Sequence, residues 1–166
     1  MGRYSPSGRR TCESCNSLDV RYLNREGQLQ PGRRCGLGWT RNGEPSGSIG
    51  IDAEQDAIVL HYSTRRYGET EWQYIRQRIP ITWTDCTLGG RRPWFTCSIY
   101  SNGCYCSRRV AKLYQAGSLF ACRHCCGLTY QTQKENARDR AISPVQKMRM
   151  RLGGSPNLLE IGRAHV

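Results

Sequence analysis

The sequence predicts a mainly β protein with short helices: an antiparallel β-meander, then a four-cysteine zinc ribbon, then a basic helical C-terminal arm. Three observations lead there. Residues 48–83 alternate apolar and polar side chains between clusters of turn residues, as strands with one solvated face do. Residues 97–126 hold six of the ten cysteines, in two local groups that flank a hairpin-like stretch. After Tyr130 the alternation stops, and helix formers and cations take over.

Residues 1–16, rich in Gly, Ser, Arg and Pro, read as a mobile arm. Within it, Cys12-x-x-Cys15 has the spacing of a metal half-site, completed in sequence only by Cys35 with Cys86; two free thiols are the plainer reading. Ser17 is placed to cap a helix running from Leu18 to Glu26, with Gly27 as its C′ residue. Asp19 in the first turn and Arg25 near the last suit the helix dipole. Such a helix packs on a core more readily than it enters a DNA groove through Arg21 and Arg25. Residues 31–47 are turn-rich, with a short strand around Trp39.

In the meander, Ile49 and Ile51 alternate with Gly50 and Asp52, Glu54-Gln55-Asp56 turns, and Ala57–Tyr62 returns. Residues 65–69 form a loop, Trp72–Ile79 comes back, Pro80 marks an edge or an end, and Ile81-Thr82-Trp83 is a last short piece. Trp72, Tyr74 and Trp83 read as core or cross-strand aromatics rather than a base-stacking platform. His61 reads as a half-buried strand residue rather than a ligand.

In the ribbon, Arg108–Tyr114 and Ser118–Ala121 have strand residues, and Gln115-Ala116-Gly117 turns between them. Thiolates suit zinc, and four of them close its tetrahedron, so no position is left for a substrate and the site is structural. Spacing leaves the ligand choice open: Cys97 with Cys104 or Cys106, and Cys122 with Cys125 or Cys126. A rubredoxin-like iron site uses the same ligands.

Several segments resemble a family of uncharacterised bacterial proteins of about this length. They are Gly89-Gly90-Arg91-Arg92-Pro93-Trp94-Phe95, Arg108-Arg109-Val110-Ala111-Lys112-Leu113-Tyr114, Phe120-Ala121-Cys122-Arg123-His124-Cys125 and Leu128-Thr129-Tyr130. The resemblance extends to residues 17–31 and 79–83. It implies a zinc ribbon whose ligands are Cys97, Cys106, Cys122 and Cys125, and it implies no activity. The chain departs from the pattern at Ser98 (Pro in the family) and Ser107 (Gly, which eases a tight turn), and Cys104 and Cys126 are additional.

Composition narrows the partners. The mean hydropathy of −0.67 allows only a modest core, and no apolar run is long enough to cross a membrane. The N-terminal residues lack the apolar segment of a secretory signal, so ten cysteines point to metal in a reducing cytoplasm rather than to a disulfide scaffold. The net charge of +12 favours polyanions, nucleic acid first. Residues 1–86 carry 12 Lys and Arg against 10 Asp and Glu, net +2, whereas residues 87–159 carry 12 against 2, net +10.

Residues 131–142 and 145–152 read as a basic helical arm interrupted at Ser143-Pro144 and ended by Gly153-Gly154. Residues 160–166 break from the preceding pattern and read as a non-native, adapter-derived tail. The expected division is therefore 1–47, an arm with a short helix; 48–90, the meander; 91–130, the ribbon; 131–159, the basic arm; and 160–166, the tail.

No phosphate-binding glycine loop, nucleophile elbow or His-Glu-x-x-His occurs. His61 and His124 are the candidate bases, and a Cys-His pair needs Cys104 or Cys126 with His124, so the chain is not expected to be an enzyme. The expected function is a cytoplasmic, Zn2+-dependent nucleic-acid-binding protein, DNA being the first candidate partner. Phosphates would be contacted by Arg91, Arg92, Arg108, Arg109, Lys112, Arg123, Lys147, Arg149 and Arg151. The alternatives are a protein-interaction adaptor docking through the meander, and an enzyme piece whose active residues lie elsewhere.

Overall fold

The computed structural model describes residues 10–65, 68, 70–101, 103–134 and 137–153. Residues 1–9 of the expected arm and all of the expected tail lie outside that set. Contacts divide the chain into two compact units, 1–129 and 130–166.

The first unit is mainly β and antiparallel, as its alternation predicts. It opens with a 3-10 turn over Cys12–Ser14, followed by β1 (Asn16–Asp19) and α1 (Val20–Arg25). Residues 10–15 are not an arm. The Cys12 N–H donates to the Thr129 carbonyl (2.9 Å) and the Thr129 N–H to the Arg10 carbonyl (3.2 Å), which pins the segment against the far end of the ribbon. The helix starts later than expected, and its cap is Asp19, whose side chain accepts from the Arg21 N–H at 3.0 Å. Ser17 and Leu18 belong instead to β1, where Leu18 pairs with Leu113 and is fully buried. A ladder that buries a leucine outweighs one extra turn of a marginal helix. Gly27 does end the helix, at φ +66°.

β2 (Arg34–Arg41) and β3 (Glu44–Ala53) form a long hairpin around Asn42-Gly43, both at positive φ as a type I′ turn requires. The expected short strand at Trp39 is thus eight residues long, and the expected boundary at residue 47 falls inside β3. β4 (Ala57–Thr64), β5 (Gln73–Asp85), β6 (Arg91–Thr96) and β9 (Arg109–Val110) complete a six-stranded antiparallel sheet in the order β2-β3-β4-β5-β6-β9. Between β6 and β9 lies a small hairpin of β7 (Tyr100–Ser101) and β8 (Cys104–Tyr105). β10 (Lys112–Gln115) and β11 (Phe120–Ala121) join β1 in a three-stranded sheet.

Two strands change partners. β5 pairs with β4 through Pro80 and with β6 from Ile81 onward. Pro80 therefore does not end the strand: it sits at the handover, where a missing N–H removes least from either ladder. The expected strand 108–114 is likewise cut at Ala111, with β9 on one sheet and β10 on the other.

One core lies between the sheets. Ile51, Leu60, Ile79 and Phe95 from the large sheet meet Leu18 and Leu23 from the N-terminal segment, and Leu113 and Phe120 from the ribbon. Among the described residues one buried polar side chain, Gln77, crosses it. Its Oε1 accepts from the Phe120 N–H (2.9 Å) and its Nε2 donates to the Phe120 carbonyl (2.8 Å), so it pairs with the backbone of β11 as a neighbouring strand would. Tyr62, whose ionisation burial pushes up to about 12, shares its hydroxyl proton between Gln77 Oε1 (3.1 Å) and the Ser118 carbonyl (2.8 Å).

In the second unit, α2 (Gln131–Lys134) precedes α3 (Ala137–Arg151). The expected break at Ser143-Pro144 is absent: Pro144 lies inside α3. Proline forfeits one N–H and strains one turn, and the helix formers on both sides carry the helix through. No helix among the described residues is long and apolar enough to cross a membrane.

Gln77→Leu would leave the buried N–H and C=O of Phe120 without partners. It is expected to cost about 3 kcal/mol in urea unfolding, against about 1 kcal/mol for Tyr62→Phe. A Gln77→Leu chain as stable as the parent would show that the β11 backbone finds its partners elsewhere.

Candidate metal centre

The first half-site grows from the end of β6. Cys97 follows Thr96 and is fully buried, and the chain returns to it at residues 106–108. The Cys97 N–H donates to the Arg108 carbonyl (2.9 Å), the Ser107 N–H to the Cys97 carbonyl (3.1 Å) and the Cys106 N–H to the Ile99 carbonyl (3.0 Å). The β7–β8 hairpin absorbs the residues between the two cysteines, its Tyr100 and Tyr105 rings 5.2 Å apart. Ser107 holds φ +47°, a left-handed conformation that favours glycine.

The second half-site follows β11 directly, as a tight turn over residues 122–127. The Cys126 N–H donates to the Cys122 carbonyl and the Gly127 N–H to the His124 carbonyl (both 3.0 Å), and Gly127 supplies φ +60°.

The two turns bring the Sγ atoms of Cys97, Cys106, Cys122 and Cys125 within 4.8 Å of one another. The Cys97–Cys125 and Cys106–Cys122 sulfurs are 3.9 and 3.7 Å apart. A tetrahedron with metal–sulfur bonds of about 2.3 Å has an edge of about 3.8 Å, so the set is compatible with zinc. Each turn also points amide N–H groups at sulfur: Cys122 N–H to Cys97 Sγ at 3.3 Å, Cys125 N–H to Cys122 Sγ at 3.5 Å, and the amides of Ile99 and Arg108 to Cys97 and Cys106. Those bonds orient thiolates, as the second shell of a metal site does. Burial pushes the Cys97 thiol up to about 11 and raises Cys125 as well. Cys106 is only half-buried; that burial raises its thiol, but the Arg108 amide and the neighbouring thiols hold it below the ordinary value. Four thiolates this close repel one another, and a dication is what removes that cost.

The geometry separates the cysteines that spacing could not. Cys104 sits exposed on β8, in an open pocket of about 300 Å3 that also contains Arg108 and His124. The Cys126 thiol turns away to the carbonyls of Tyr114 (3.4 Å) and Ala121 (3.7 Å), and burial pushes it up to about 11, a poor nucleophile. Cys12 and Cys15 are free thiols, the plainer of the two sequence readings, and pack with Cys126, Tyr114 and Leu128 in a small second cluster rather than with Cys35 and Cys86. Cys35 packs on the main core instead.

The cationic candidates are scattered. Arg92 and Arg109 share the outer face of the large sheet, since Arg109 is the register partner of Thr96 and residues 92, 94 and 96 alternate onto that face. Arg108 lines the pocket beside the thiols. Arg91 is 3.5 Å from Asp85, Lys112 is 3.6 Å from Asp19, and Arg123 donates to the Leu128 carbonyl. On α3, Lys147 and Arg151 lie one turn apart and exposed, whereas Arg149 between them is half-buried. Of the aromatics, Trp83 packs on the core and Tyr74, though 65% exposed, stacks across the strands on His61 of β4, both as expected, whereas Trp72 is 65% exposed just before β5 begins. His61 bridges Asp52 Oδ2 (3.1 Å) and Tyr74 (2.8 Å) and is half-buried, the strand role expected of it.

Changing any one of the four clustered cysteines to Ser is expected to abolish stoichiometric metal binding, while Cys104→Ser and Cys126→Ser retain one ion, as elemental analysis will read. Release of the ion by Cys104→Ser but not by Cys106→Ser would reassign the ligands. Ser107→Gly removes a left-handed non-glycine residue and is expected to stabilise the chain by about 0.5 kcal/mol in denaturant unfolding; destabilisation would mean that the serine hydroxyl outweighs its backbone strain. Comparison with protein-family models, with curated proteins and with solved structures gives no match.

Proposed function

We propose that the chain is a nucleic-acid-binding protein, with DNA as the first candidate, built on a structural zinc ribbon. The four clustered cysteines hold the ion and close its coordination. Zinc supplies folding free energy there, about 10–16 kcal/mol of apparent binding in small zinc modules, and no chemistry on a substrate. Arginines and lysines around the ribbon and on the C-terminal helix contact phosphates.

The observation that carries this reading is the coupling of Arg108 to the thiol cluster. Its amide serves Cys106 and its carbonyl holds Cys97, so the guanidinium leaves a backbone fixed by the metal knuckle. Arg109 follows on β9, facing the same way as Arg92. Cations on a rigid frame lose little conformational freedom when they meet a phosphate. The +10 net charge of residues 87–159 supports a polyanionic partner over a protein one. Arg91 and Lys112 already face carboxylates and add less.

If Arg92, Arg108, Arg109, Lys147 and Arg151 supply the contacts, affinity for duplex DNA should fall with salt at a log–log slope of about −4 to −5. Replacing Arg108 and Arg109 with Ala should make that slope shallower by about two units, with similar losses on unrelated sequences. A loss confined to one sequence would mean that the pair reads base edges. A zinc-loaded chain that binds no nucleic acid at low salt would overturn the reading in favour of the adaptor.

A further inference from the structure

Three depressions open side by side on the first unit and share their walls. Their volumes are about 460, 450 and 270 Å3, and Gln115 at the end of β10 lines all of them. Arg10 is common to the first and second, Asn16 and Ser46 to the first and third, and Thr64 and Arg65 to the second and third. Together they form one continuous groove. It exists because the N-terminal segment lies down on the ribbon: Asn16 pairs with Gln115, and Trp39 donates to the Ser17 carbonyl at 3.0 Å.

Among the described residues, the walls carry three arginines and no carboxylate. Arg10 donates to the Ala116 carbonyl (2.8 Å) and Arg41 to the Ser14 carbonyl (2.6 Å). Each is thus held in place by a neutral acceptor, with its charge uncancelled and further N–H donors to spare. Among the described residues neither they nor Arg65 has an ion-pair partner within 4.0 Å. The Arg65 guanidinium lies 5.1 Å over the ring of Trp72, an indole 65% exposed on the groove wall. Fixed cations beside an exposed aromatic, with amides and hydroxyls between them, are the parts used to hold a single strand: phosphates on the cations, a base on the ring, polar groups at the base edge. A duplex keeps its bases stacked inside and leaves such an indole without a partner.

We propose that this groove binds single-stranded nucleic acid, its phosphates on Arg10 and Arg41 and one base stacked on Trp72 beside Arg65. The inference deepens the nucleic-acid reading above, on which it rests for the class of partner. It adds a surface whose arginines come from the half of the chain with little net charge.

The test measures binding of labelled fifteen-nucleotide oligo(dT) and of a duplex of the same length to the full, zinc-loaded chain. The variants are Trp72→Ala, Trp72→Phe, Arg10→Gln with Arg41→Gln, and Arg108→Ala with Arg109→Ala. Trp72→Ala is expected to weaken oligo(dT) about tenfold, with Phe restoring most of it, and to leave the duplex unchanged. The Arg10/Arg41 variant should make the oligo(dT) salt slope shallower by about 1.4, from about 0.7 per single-strand phosphate. Unaltered oligo(dT) binding by both groove variants overturns the groove while the ribbon reading stands. Unaltered duplex binding by the Arg108/Arg109 variant, with the groove effects present, overturns the ribbon reading alone. Binding of neither probe by the parent chain overturns both, and displacement of oligo(dT) by thymidine monophosphate at equal concentration would assign the groove to a free nucleotide instead.

Discussion

Four sulfur atoms within 4.8 Å of one another are the constraint on which the ribbon depends. Thiols gain little from such crowding, and thiolates lose by it, so the approach of Cys97 and Cys106 to Cys122 and Cys125 needs an organised backbone. That organisation is visible in the amides turned toward sulfur, in the left-handed Ser107 and Gly127, and in the hairpin that lets a long loop return to Cys97. The set is of a size compatible with a metal ion, and a bound dication would relieve the crowding.

The ribbon does not stand apart from the meander. Cys122 follows β11, and the residue that opens β11, Phe120, is held by Gln77 from the middle of the large sheet. Phe120 also meets the Trp39 and Tyr62 rings, at 5.9 and 5.4 Å. The N-terminal segment closes the arrangement by pairing with β10 through β1 and with Thr129 through Cys12. Residues far apart in sequence thus share one core, which is how a chain of modest hydrophobic content builds a sheet with two covered regions. The outer face of β4 shows the same economy: Val59 is buried beneath its register partner Arg78, which Glu54 and Asp56 clamp at 2.8 and 2.6 Å.

Charge and shape point to different parts of the molecule. The excess of cations lies in residues 87–159, yet Arg91 and Lys112 there face carboxylates. The groove arginines 10, 41 and 65 come from the nearly balanced half and have no carboxylate partner among the described residues. Net charge governs long-range attraction of a polyanion, whereas a binding surface depends on which cations remain uncancelled after folding.

By itself the sequence determined the strand class of residues 48–83, the Gly27 helix end, the helical class of the segment after Tyr130 and the two cysteine turns, because alternation, left-handed glycine and local cysteine spacing are short-range signals. It left Cys104 against Cys106 and Cys125 against Cys126 undecided, since either member of each pair satisfies local spacing, and only the resemblance chose between them. Tertiary structure decided the rest. It gave Leu18 to a strand because Leu113 was there to bury it. It carried β5 through Pro80 because β6 took over the pairing. It set Cys126 rather than Cys35 beside Cys12 and Cys15, and it assembled a groove from residues 10, 41, 65, 72 and 115. Those outcomes turn on which strand edges meet across the core, and that is a property of the whole chain's packing rather than of any window within it.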